Sequence, residues 1–345
     1  MKKVCVIGHF GFGEELLNGQ TIKTKIVTKE LEKQLGKKQV MKIDTHGGVK
    51  AFIKLPFQVF SALKNCKNVI IFPAHNGLRI ITPLLSVENK LFRRKLHYVV
   101  IGGWLPSFVE AKKILRRQLK RFDHIYVETS TMKKALQKQD FNNISIMPNC
   151  KELHILDESE LVYNTSEPYK LCTFSRVMKE KGIEDAVNAV KDVNEKLGRV
   201  VYELDIYGQV DSEQVEWFEE LKKKFPKYVH YKGLVPFDKT VEVLKNYYLL
   251  LFPTRFFTEG IPGTIIDAYA AGIPVIASKW ESFDDIMKDG YTGLGYEFSH
   301  NSCLESLLES KVYEINYNEI KINCLRMAEH YIPKYAIKKL TDRLD

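Results

Sequence analysis

The sequence predicts an α/β protein made of two Rossmann-like domains in tandem, each a doubly wound parallel sheet. Three observations lead there. The 345 residues exceed one ordinary core, so two domains are expected. Apolar strand-like runs alternate with amphipathic stretches of helix length along the chain. That alternation pauses in the polar segment KELHILDESELVYNTSEPY (151–169) and then restarts, which marks a domain junction.

Taken in order, the first half offers strands at KVCVIG (3–8), KQVMKID (38–44), NVIIFP (68–73), HYVVIG (97–102), HIYVET (124–129) and ISIMP (144–148), with helices such as 19–35 and 108–121 between them. The second half offers KLCTFSRV (170–177), a helix at 182–197, VVYELDIYG (200–208), a helix at 212–224, VHYKGLV (229–235), a helix at 237–246, YLLLFPT (248–254), a helix at 262–271 and PVIAS (274–278). In open α/β sheets ligands bind beyond the carboxyl ends of the strands, so the cleft between two such sheets is the expected site.

Composition narrows the class. Hydrophobic residues make up 45% and charged residues 28%, as in a globular protein. No apolar run approaches the ~20 residues that span a bilayer; YYLLLF (247–252) is among the longest. The start MKKVCVIGHFGFGEE has too short an apolar stretch for a signal peptide and reads as a first strand. Six cysteines form no C-x-x-C pair; buried, reduced thiols fit a cytoplasmic location. Residues 1–160 hold 28 Lys and Arg against 14 Asp and Glu, a balance of +14; the remainder holds 24 against 29, or −5. The basic surface therefore belongs to the first half.

The most informative stretch is PTRFFTEGIPGTIIDAYAAGIPVIAS (253–278). Pro262 suits a first helical turn, while Gly272 and Pro274 suit a helix end. Glu259 then lies on the preceding loop and Asp267 more than one turn into the helix. A helix start offers free N–H groups and partial positive charge to a phosphate. Gly260 and Gly263 allow close approach to the backbone. Phosphate held at Gly263 and Thr264 would set a sugar near Glu259 and a ribose near Asp267.

EGIPGTIIDAYAAGIPVIAS resembles the E-x7-E segment of retaining family 4 glycosyltransferases, which have the GT-B fold of two facing Rossmann-like domains. In that family the first Glu faces the donor sugar and the second binds ribose; the resemblance implies these roles for Glu259 and Asp267. KLCTFSRVMKEKGIEDAVNAV (170–190) is similar to the family's G-R-x-x-x-x-K-G stretch, which makes Arg176 and Lys181 the pair that clasps the donor diphosphate. Fixed cations can stabilise the departing charge without a metal, and no D-x-D motif occurs in the chain. LDIYG, ending at Gly208, and VHYKGLV follow in the family's order. ISIMPN (144–149) and DGYTGLGYE (289–297) also resemble family segments, and RMAEHYIPKYAIKKL (326–340) is similar to the final helix that crosses back. The implied domains are 1–155 with a C-terminal helix at 329–345, and 165–328.

At the amino end, Gly8, Gly11 and Gly13 spell G-x-x-G-x-G, not the dinucleotide fingerprint G-x-G-x-x-G. NGQTIKTKIVTKELEKQL instead resembles the family's loop and first helix capping the diphosphate, with Gly19 and Gln20 as contacts and Gly13 second; Thr21 could cap that helix. Two departures stand out. The family's H-D after the fourth strand is replaced by Gly102 and Gly103 in VVIGGWLP, and KWESFDD (279–285) stands where the family often has G-G. His97 sits at the wrong end of its strand, whereas His75, on the loop in FPAHNG, could reach the cleft. Acceptor contacts are thus expected from His75, Gly102, Gly103 and Trp104.

AKKILRRQLKRFDH (111–124) carries six cations on one half of a helix and Ala111, Ile114, Leu115, Leu119 and Phe122 on the other. Such a face suits an anionic membrane surface, with residues 111–122 in contact, better than nucleic acid, for which no binding motif is present. The combined expectation is metal-independent transfer, with no cofactor, from a nucleotide diphosphate sugar, a UDP-sugar by preference, to a saccharide or lipid-linked acceptor. A nucleotide-sugar epimerase of the same fold and a non-catalytic partner of another glycosyltransferase are the alternatives.

Overall fold

The computed structural model describes residues 1–14, 19–163, 166–298, 302–309 and 316–344. The chain divides into two units, residues 1–152 with 331–345, and residues 153–330.

The first unit alternates strand and helix: β1 Lys2–Gly8, α1 Gly19–Leu35, β2 Val40–Asp44, α2 Gly48–Asn65, β3 Cys66–Ile71, α3 His75–Phe92, β4 Lys95–Val99, α4 Leu105–Glu110, α5 Lys113–Leu119, β5 His124–Val127, α6 Ser130–Gln137 and β6 Ile144–Ile146. All pairings are parallel, in the order β2-β1-β3-β4-β5-β6. The period-two alternation of β1 shows why the sheet is covered on both faces. Cys5 and Ile7 face α2, α3 and α5. Val4 and Val6 face Ile26, Val27 and Leu31 of α1 and the C-terminal segment. The order reverses between β1 and β3, so the loops leaving these strands diverge.

The second unit begins with β7 Tyr169–Phe174, then α7 Ile183–Leu197, β8 Tyr202–Tyr207, α8 Val215–Lys222, β9 Val229–Gly233, α9 Thr240–Leu244, β10 Leu249–Phe252, α10 Gly263–Ala270, β11 Val275–Ser278, β12 Gly293–Tyr296, α11 Ser302–Glu309 and α12 Tyr317–Ala328. Its parallel sheet runs β12-β11-β10-β7-β8-β9, with the reversal between β7 and β10. Two of the four residues of β12 are glycine, which strands disfavour; that strand was absent from the sequence expectation.

Other expectations need correction. The helix expected at 108–121 is broken into α4 and α5 at Ala111–Lys112, where the Lys112 ammonium folds back to donate to the Phe108 carbonyl at 2.9 Å. Ile114, on the apolar half of the expected helix, is 75% exposed. His75 opens α3 and does not sit on a loop. Pro262 caps α10 from an extended conformation one residue before the helix. The single C-terminal helix is a 3-10 turn and two short helices, α13 Pro333–Ala336 and α14 Lys338–Thr341, because Pro333 cannot continue the preceding turn and starts a new one. All six cysteines are free thiols. No helix among the described residues is long and apolar enough to cross a membrane.

Candidate active site

The second unit presents its chemistry at the reversal between β7 and β10. A turn at Lys179–Lys181 follows β7 and leads into α7, while residues 253–262 join β10 to α10. Several contacts lock these segments together. The Arg255 N–H donates to the Glu180 carbonyl at 2.8 Å. The Arg255 guanidinium grips the buried Asp185 carboxylate from two nitrogens, at 2.5 and 2.8 Å. Gly182 allows the approach: its φ is +68°, and a Cβ there would lie 1.9 Å from the Pro253 carbonyl oxygen. Asp185 and Arg255 escaped the sequence reading. Their signal was the acidic first turn of the helix at 182–197, whose partner 70 residues on has no local pattern.

The lock brings two of the expected residues into contact. Lys181 Nζ lies 2.5 Å from Glu259 Oε2. The Thr254 hydroxyl donates to the same oxygen at 3.3 Å. The ammonium also stands 4.9 Å from the Phe256 ring centroid and 5.8 Å from that of Phe252. Lys181 and Glu259 are both largely shielded, with side chains 17% and 20% exposed, so their charges are screened less than on an open surface. Gly260 is buried in the loop beyond. Gly263 opens α10, and next to it the Thr264 hydroxyl is buried with no hydrogen-bond partner among the described residues. An orphaned donor at a helix start is what an anionic oxygen would satisfy.

Three expected donor contacts are placed differently. Arg176 is exposed and reaches Asp211 on the loop after β8, Nη1 to Oδ2 at 3.3 Å, so it is not joined to Glu259. Asp267 is buried, 4% exposed, together with its α10 neighbours Ile265, Ile266, Ala268 and Tyr269, because α9 and α12 pack on that helix; its carboxylate is not offered to solvent. Gly208 serves packing: with φ +133°, a Cβ would fall 1.7 Å from the Ser175 oxygen, so glycine lets the loops after β7 and β8 touch.

In the first unit a cavity of about 530 Å³ opens at the β1/β3 reversal, lined by His9, Gln20, His46, His75, Asn76 and neighbouring backbone. Gln20 donates to the Phe72 carbonyl at 3.0 Å. Thr21, expected as a cap, is the third residue of α1 and pairs with His9 Nδ1 at 2.7 Å. His9 Nε2 lies 3.1 Å from His46 Nδ1. His75 stacks on Trp104, ring centroids 3.9 Å apart, and Phe108 meets both edge-on. The Trp104 indole donates to the Ile101 carbonyl at 2.7 Å, across the turn that Gly102 makes with φ +77°. Burial first, then Arg79 and Lys112, lower the His75 pKa, which favours a neutral ring. Gly13 lies in a turn with open space around it, and Gly19 begins α1; neither these two nor Gly103 lines the cavity. His97 is buried between Asn68 and Tyr126, and burial drives its pKa to about 3. Among the described residues no group of three or more His, Cys, Asp or Glu is placed to hold a metal.

Residues 168–308 match the family model described as glycosyl transferases group 1. An uncharacterized glycosyltransferase of Methanocaldococcus jannaschii is 24% identical over 250 residues, covering 68% of this chain and 57% of that protein. The chain thus spans little more than half the length of that relative. Two solved structures align along the full chain. Anabaena HepE in complex with UDP has a TM-score of 0.73 at 12% identity, covering 100% of this chain and 99% of its own. Sucrose-phosphate synthase from Thermosynechococcus elongatus has a TM-score of 0.75 at 13% identity, with the same coverage. The chain has the GT-B fold, and its residues 168–308 are similar to the group 1 glycosyl transferases.

Proposed function

We propose that the protein is a retaining glycosyltransferase that moves a sugar from a nucleoside diphosphate sugar, by preference a UDP-sugar, to a hydroxyl of a saccharide or lipid-linked acceptor. The observation that carries this reading is the Lys181–Glu259 contact at the β7/β10 reversal, in the unit whose α10 begins with a Thr264 hydroxyl that has no partner among the described residues. The family match over the same residues and the UDP bound by HepE support it.

In this reading the bond between the anomeric carbon and the donor phosphate oxygen breaks, and negative charge collects on the diphosphate. Lys181, Arg176 and the amides of Gly263 and Thr264 stabilise that charge without a metal. Glu259 orients the donor sugar; Asp267, which the family resemblance assigns to the ribose, takes that role only if donor binding uncovers its buried carboxylate. The acceptor hydroxyl attacks from the face that the diphosphate leaves, and its proton passes to the departing phosphate oxygen. His75 and Trp104 form an aromatic platform suited to an acceptor sugar ring.

A thermal-shift panel of nucleotides and nucleotide sugars tests the reading. A donor at ~100 times its dissociation constant adds ~2.7 kcal/mol and should raise the midpoint by several degrees. UDP and one UDP-sugar are expected to act this way, and product should form only with an acceptor present. No shift with any nucleotide sugar, or sugar interconversion without an acceptor, would refute it.

A further inference from the structure

The face of the first unit formed by α2, α3 and α5 is apolar and cationic at once. These helices pack on the same side of the sheet and share one core. In α2, Leu55, Val59 and Leu63 are buried, whereas Ile53, Phe57 and Phe60 recur on the opposite side at helical spacing and are exposed, Phe57 by 80%. In α3, Leu78, Ile81 and Leu85 are buried, whereas Ile80, Val87 and Leu91 line the outer side, Leu91 by 74%. The exposed Ile114 of α5 adds to them. In α2 and α3 an outer apolar stripe thus stays exposed, with Phe60 alone meeting a core-side residue, Phe92, edge-on at a centroid distance of 5.1 Å. Soluble monomers rarely leave large apolar side chains grouped in this way.

Charge says what covers the face. Residues 48–122 contain 15 Lys and Arg and only two acids, Glu88 and Glu110. Lys54 and Lys64 flank the α2 stripe, and Lys90 and Arg93 stand at the end of α3; all four are exposed. A hollow of about 600 Å³ is rimmed by Arg79, Lys112 and Lys113 and floored by Pro83 and Leu115. Protein interfaces are depleted in lysine, and nucleic acid has no use for a row of Phe, Leu and Ile. Apolar residues that enter the headgroup boundary, ringed by cations that meet lipid phosphates, are the pattern of an interfacial membrane surface.

We propose that α2, α3 and α5 dock the protein on an anionic lipid bilayer, with Phe57, Val87, Leu91 and Ile114 entering the interface and the flanking lysines and arginines contacting headgroup phosphates. This adds an apolar component to the basic segment 111–122, and it holds whatever sugar the protein transfers.

Co-sedimentation with vesicles of phosphatidylcholine and phosphatidylglycerol in equal parts, and of phosphatidylcholine alone, tests it. The protein is expected to bind the anionic vesicles at low salt and to bind the neutral ones at least about tenfold more weakly. The pair Phe57→Ser/Leu91→Ser and the pair Arg116→Glu/Arg117→Glu should each reduce anionic binding by about tenfold or more. All four positions are surface sites, and unchanged circular dichroism and thermal midpoint would confirm folding. Failure of the parent protein to bind anionic vesicles, or binding by both variants as tight as the parent's, overturns the proposal. So does self-association that Phe57→Ser/Leu91→Ser abolishes while vesicle binding is absent, which would make the face a contact between copies of the chain.

Discussion

Lys181→Ala is expected to lower kcat for sugar transfer by about 10²–10³-fold, the usual cost of removing one fixed donor from a site where charge develops. Lys181 is held for this task by the turn after β7, by Glu259 at 2.5 Å and by the flanking Phe256 ring. Its charge is less hydrated than a surface lysine's and so counts for more against a departing diphosphate. Stability should fall by only about 1–3 kcal/mol, the cost of leaving the shielded Glu259 carboxylate without its partner. The loss of rate would then mark a role in the reaction and not a failure to fold. Lys181→Arg should recover part of the rate, because the charge returns with a different geometry. Single-turnover measurements at saturating donor separate chemistry from binding. An unchanged kcat in the alanine variant would remove Lys181 from the mechanism.

Gly182→Ala should be the most damaging single methyl group near the site. Alanine at φ +68° carries a left-handed penalty of about 1–2 kcal/mol. The added Cβ would also stand 1.9 Å from the Pro253 oxygen, so the turn at Lys179–Lys181 must separate from the loop after β10. Together these should cost about 2–4 kcal/mol. Transfer should be abolished, because the displaced neighbour is Lys181. Gly198 supplies the control. Its φ is +67°, yet nothing lies within 4 Å of its Cβ position, so Gly198→Ala should show the conformational penalty alone, with activity intact. Urea unfolding and transfer assays on the two variants decide the matter; equal stability losses would mean that the contact with Pro253 does not matter.

Much of this fold was legible because its signals are local. Parallel strands buried on both faces read as continuous apolar runs, such as VCVIG and LLLF, and helix ends are marked by proline and glycine. Strand β12 was hidden by Gly293 and Gly295, since its place in the sheet comes from pairing with β11 and not from its own propensity. The break between α4 and α5 was hidden because the apolar spacing continues through it. The contact of Lys181 with Glu259, which the sequence reading did not foresee, joins two motifs 78 residues apart that a doubly wound topology brings to one reversal. What the spacing could not reveal was orientation. Arg176 turns to Asp211, Asp267 is enclosed by its own helix's neighbours, and the stack of His75 on Trp104 joins residues from two separate strand ends.

The central claim is that Lys181 and the start of α10 receive the diphosphate of a sugar nucleotide. A crystal structure of the protein with UDP tests it most directly. The expected result places pyrophosphate oxygens within about 3 Å of Lys181 Nζ and of the Gly263 or Thr264 amides, with the Thr264 hydroxyl newly bonded. Pyrophosphate seated away from α10, with Lys181 still held by Glu259 and Thr264 still without a partner, would contradict it.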